Sequence, residues 1–168
     1  MSAKKKFWLI FGIVFISLIV LLILRPEMAD ATTLVIELNS GDTHEINISD
    51  LRRLEGIDFQ NLGEESEVVV NLLERFYERY RASRGDKLIK VFYFSQIIQF
   101  SGSDSFEFTD ILFHSADGAR ILISPQEHRD FLILMALELE NGEYSLRLIM
   151  PEDNFSQRWL KNVVKIEV

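Results

Sequence analysis

Apolar positions along the chain fall into one long unbroken run and a series of shorter periodic segments. From Phe7 to Leu24 eighteen residues carry no charge and are interrupted only by Gly12 and Ser17. As a helix the run is about 27 Å long, close to the roughly 30 Å hydrocarbon core of a bilayer. It therefore predicts one membrane-spanning helix over residues 7–24, preceded by a basic tail (1–6) and followed by a short polar tether (25–32).

The remainder, 33–168, reads as one domain. Leu34, Ile36 and Leu38 alternate before Ser40-Gly41-Asp42, and Ile46 and Ile48 alternate after it, which predicts a β-hairpin. Ser49 is placed to cap a short helical stretch, "DLRRLE", that ends at Gly56. From Ser66, Val69, Leu72, Leu73, Phe76, Tyr77 and Tyr80 recur at three- and four-residue steps, with Gly85 as the stop. That aromatic stripe is a core-packing face.

Beyond Gly85 the period shortens to two. "KLIKVFYF" predicts a strand, "SGSDS" a polar loop, and "TDILFHSADGARILIS" a second hairpin. Ser124-Pro125-Gln126-Glu127 is a capping box with proline at the first helical position. "ALELENGEYSLRLIMP" predicts a third hairpin about Asn141-Gly142, pairing Leu139 with Tyr144 and Leu137 with Leu146. "VVKIEV" closes the chain as a strand. The fold class expected is α+β, mostly antiparallel β with two to four helices.

Charge adds an address. Lys4, Lys5 and Lys6 precede the apolar run and only Arg25 follows it, so the N-terminus is expected in the cytoplasm and the domain in the periplasm or outside the cell. The alternative is a secreted chain cleaved after Ala31, since Ala29-Asp30-Ala31 has the form of a processing site. Residues 26–168 hold 14 basic and 26 acidic side chains, a balance of −12, which repels phosphate backbones. Nucleic acid is not expected as a partner; the membrane is, through the N-terminal helix, with a further membrane or periplasmic protein possible in addition. No cysteine occurs, so thiolate catalysis and thiolate-held metal are excluded.

In the second half, "DILFHSADGARILISPQE", a strand ending in "ENG", then "LRLIMP" and "RWLKNVVKIEV" follow one another in an order that resembles the sulfite oxidase-like molybdopterin-binding domain, over roughly residues 109–168. The resemblance implies that fold and, in the family's enzymes, molybdenum held by the pterin dithiolene and one cysteine thiolate. This chain departs from the pattern in having no cysteine, in reducing the passage between the asparagine-glycine turn and the leucine-arginine-leucine strand to Glu143-Tyr144-Ser145, and in placing Asn162 where a tryptophan is usual. Arg158 and Lys161 fall at positions resembling basic residues that contact the pterin or its phosphate. What the resemblance implies is a compact relative that keeps the scaffold and lacks redox chemistry.

Candidate chemistry is sparse. His114, Ser115 and Asp117 crowd around Gly118, but on a tight turn their side chains diverge and cannot align as nucleophile, base and orienting acid. His44, His114 and His128 lack metal-ligand spacing, and neither "SGSDSFEFTD" nor "PEDN" fits a calcium loop. Arg147, Arg158 and Lys161 are the basic residues marked as an anion site, with scattered solvent-facing cations as the plain alternative. Trp159 and Tyr144 are core or contact residues. The function expected is a non-catalytic binding or interaction module without cofactor. The alternatives are a molybdopterin-binding oxidoreductase subunit with a non-cysteine metal ligand, or a structural subunit of a membrane complex showing an exposed apolar patch.

Overall fold

A computed structural model describes residues 32–62, 66–102, 110–153 and 159–168. The expected membrane-spanning run, the basic tail, most of the tether and Arg158 lie outside these residues. Among the described residues no helix is long and apolar enough to cross a membrane.

The first hairpin forms as the alternation requires, from β1 (Thr33–Glu37) and β2 (Thr43–Asn47), with Leu34 opposite Ile46. A 3-10 helix follows over Ile48–Arg53. Its cap is Asn47, whose side-chain oxygen accepts the Ser49 N–H, so the capping position falls two residues before the serine expected. Helix α1 (Glu67–Arg84) begins where Ser66 accepts the Val69 N–H and stops at Gly85, with Glu67 in its first turn and Arg81 and Arg84 in its last. A short 3-10 turn (Gly85–Lys87) leads into β3 (Leu88–Tyr93).

Helix α2 (Phe94–Phe100) starts without a break after β3 and was not marked by the sequence pattern. Its signal is local: Phe94, Ile97 and Ile98 are buried at helical spacing, and Gln96 accepts the Tyr93 N–H from the third helical position. Seven residues are too few for periodicity alone to separate a helix from a continuing strand. The second hairpin, β4 (Ile111–Ser115) and β5 (Arg120–Ile123), and helix α3 (Pro125–Asp130) with its Ser124–Glu127 capping box occupy the expected places. The third hairpin, β6 (Leu134–Glu140) and β7 (Glu143–Ile149), has the expected register, Leu139 against Tyr144 and Leu137 against Leu146. Asn141 and Gly142 both have positive φ, 53° and 85°, as a two-residue turn of this class needs.

These strands form two sheets. One has the order β2-β1-β8-β4-β5, where β8 is Val163–Glu167, and the other the order β3-β6-β7. Neighbours are antiparallel except β1 and β8, which run parallel with Val35 beside Lys165. The architecture is thus α+β and mostly antiparallel. The inner face of the larger sheet (Leu34, Ile36, Phe113, Ile166) packs on one face of the smaller (Met135, Leu137, Leu146, Leu148). The other face of the smaller sheet (Leu134, Ala136, Ile149) packs under Leu73, Phe76 and Tyr80 of α1. Sheet, sheet and helix therefore stack in three layers, and β6 is covered on both sides.

Candidate functional site

That layering decides the fate of the charged residues on the third hairpin. Arg147 shares its side of β7 with Ile149, and Glu138 shares its side of β6 with Ala136, so both point beneath α1. Arg147 is 4% exposed and Glu138 6%. The guanidinium donates from Nε (3.2 Å) and an Nη (3.1 Å) to Glu138 Oε2, while the Tyr80 hydroxyl donates to Oε1. Arg84 Nε lies 3.8 Å from the same Oε1 at the helix end. Burial, followed by the adjoining carboxylate, pushes the Tyr80 hydroxyl far above its ordinary value. Arg147 is therefore neither the solvent-facing charge nor the open anion ligand expected of it; the cause is α1, which roofs the face that strand alternation assigns to water.

Lys161 sits elsewhere. It is exposed in the loop before β8, and its carbonyl accepts the Ser115 hydroxyl at 2.6 Å. Of the three marked cations, one is neutralised inside the fold, one is exposed, and Arg158 lies outside the described residues. The chain holds no thiolate, and Arg147 is committed to Glu138.

The 113–124 segment is a structural turn. Asp117 Oδ1 accepts the Ala119 N–H at 3.1 Å, the Gly118 N–H reaches the Ser115 carbonyl at 3.0 Å, and Gly118 has φ 89°. His114 projects from the opposite side of β4 to Ser115, onto the outer face of the larger sheet. There its Nε2 lies 2.9 Å from Glu167 Oε1, off the line of a regular hydrogen bond. Lys165 bridges Glu167 and Glu37, at 2.9 Å each, and its ammonium holds the Glu167 carboxyl below the usual range. His128 stands edge-on to Phe94 with ring centres 6.1 Å apart, and burial lowers its pKa. Among the described residues no three His, Asp or Glu are grouped to hold a metal ion.

Open concave surface lies where β3 forms an edge of the smaller sheet. A cleft of about 500 Å³ separates β3 from residues 56–60 and the last turns of α1. Phe59 stacks on Tyr77 with ring centres 4.3 Å apart, and the Arg81 guanidinium stands 5.9 Å from the Tyr77 ring centre. At one end Gly56 brings the chain so close to β3 that a Cβ there would lie 3.0 Å from the Val91 carbonyl, which accepts the Ile57 N–H. Toward the other end the β3–β6 register slips between Leu88 and Lys90, leaving Ile89 as the extra residue, 39% exposed. Sequence periodicity could mark β3 as a strand but not as an edge. Trp159 is a packing residue against Phe76 and Tyr80, and Tyr144 is half-buried beneath Arg52.

Neither a family model, nor a curated protein, nor a solved structure matches this chain.

Proposed function

We propose that this chain is a membrane-anchored, extracytoplasmic binding module that carries its α+β domain on a short tether, acts by contact and not by catalysis, and uses a scaffold of the sulfite oxidase-like type. The observation that carries the reading is the cleft along β3, which combines an exposed strand edge, a stacked aromatic pair and charges of both signs. Such a mixture suits recognition, since aromatic bodies supply contact area while strand-edge peptide groups supply directional hydrogen bonds. The address rests on the apolar run 7–24 and its basic N-terminal flank. The scaffold assignment rests on the motif order over residues 109–168, and the non-catalytic character on the absence of any cysteine to hold molybdenum.

The test is made on the full chain. Membranes washed at high pH retain it, protease added outside the cytoplasmic membrane digests the domain, and detergent-purified protein carries no stoichiometric molybdenum. A soluble product beginning at Thr32 removes the anchor. One tightly held molybdenum per chain overturns the non-catalytic reading.

A further inference from the structure

We infer that the cleft at β3 takes an extended, basic peptide segment of a partner protein, which adds to the exposed strand edge at Ile89; this rests on the reading of the domain as a binding module. An edge strand offers unpaired backbone groups, and a bulge leaves its extra residue outside the ladder. Ile89 is that residue here, and it is also one of the few large apolar side chains exposed among the described residues. Its backbone and side chain together offer what an incoming strand uses: peptide groups for pairing and an apolar contact for every second residue.

The existing contact at Val91 shows how such a strand would lie. Ile57 already donates to the Val91 carbonyl from the segment that Gly56 holds close, so the edge is closed there and open toward Leu88 and Ile89. Residues 56–60 wall one side and α1 the other. A single strand enters between them; the edge of a second folded sheet does not.

The chemistry of the occupant follows from which charges are already committed. The Lys90 ammonium donates to the Arg52 and Leu54 carbonyls at 2.7 and 2.8 Å, and the Arg81 guanidinium stands over Tyr77. Asp58 and Asp86 on the cleft walls are exposed and take part in no ion pair within the described structure. Two carboxylates in a domain with a balance of −12 attract a basic segment and steer its approach.

The probe is an end-capped eight-residue peptide alternating Lys and Val, titrated by fluorescence anisotropy against the full chain in detergent micelles at low salt. Saturable binding is expected, accompanied by slower hydrogen exchange at the Ile89 amide. The Asp58→Asn, Asp86→Asn double variant, which keeps the Asp58 oxygen that caps Gln60, weakens binding on the order of tenfold. The same peptide N-methylated at alternate residues, unable to pair, does not bind. Equal binding of the N-methylated peptide, an unaffected double variant, or preference for an alternating Glu-Val peptide overturns the proposal. So does a dimer of the full chain that Ile89→Lys dissociates, which assigns the edge to a second copy. Membrane retention and metal content do not involve the cleft, so failure of peptide binding with those results intact removes this assignment and leaves the broader reading standing.

Discussion

Arg147 reaches Glu138 diagonally across the β6–β7 hairpin, two of its nitrogens 3.1 and 3.2 Å from one carboxylate oxygen, beneath a helix that shuts out water. A charge pair so placed is costly to leave half-made. Removing one partner strands a buried charge, at about 3–5 kcal/mol, whereas replacing the whole set by apolar groups is often neutral or better. Arg147→Met alone should lower the urea midpoint steeply. Combining R147M with E138M and Y80F should restore most of the loss.

Tyr80 makes the same cluster sensitive to alkali. Its hydroxyl ionises far less readily in the fold than in the unfolded chain, where the value is about 10. The stability this supplies is complete below that value and is lost progressively as pH rises beyond it. Equilibrium unfolding followed from pH 8 upward should show a steeper decline for the native chain than for Tyr80→Phe. At neutral pH the variant should be about 1–3 kcal/mol weaker, because Glu138 loses a donor.

On the outer face of the larger sheet the sign reverses. The Lys165 ammonium depresses the Glu167 carboxyl, so the stabilisation is present above the ordinary carboxylate range and is lost as pH falls through it. Lys165→Met should raise the Glu167 pKa toward the usual value in an NMR titration and flatten the acid limb of the stability curve. Partial exposure limits the change in stability to no more than about 1 kcal/mol.

Gly56 holds the upper boundary of the cleft. An alanine methyl at this position meets the Val91 carbonyl at 3.0 Å, and a backbone atom has little freedom to yield. Gly56→Ala should speed hydrogen exchange at the Ile57 amide and destabilise the domain by about 1–3 kcal/mol, as overpacking does.

Local chemistry made much of this fold legible. The helix stop at Gly85, the capping box at Ser124 and the Asn141-Gly142 turn are each written in a few adjacent residues, and each forms where expected. What two-residue alternation cannot express is which elements meet. Leu146, Arg147 and Leu148 read as apolar, polar, apolar, and the pattern assigns Arg147 to solvent. The assignment fails because α1 packs on that face and brings Tyr80 to complete the polar cluster. The same limit hid the cleft: β3 has a strand's sequence whether it lies at the centre of a sheet or at its rim, and the slip at Ile89 exists only relative to β6. Helix α2 was missed for a different reason, its length.

The parallel contact between β1 and β8 joins residues some 130 positions apart, Val35 beside Lys165 and Ile36 beside Ile166. The first hairpin can close on itself early, yet the larger sheet has no centre until β8 leaves the ribosome and slots between β1 and β4. Cooperative folding must therefore wait for the synthesis of β8, and a product truncated before Val163 exposes two raw strand margins that invite aggregation and proteolysis.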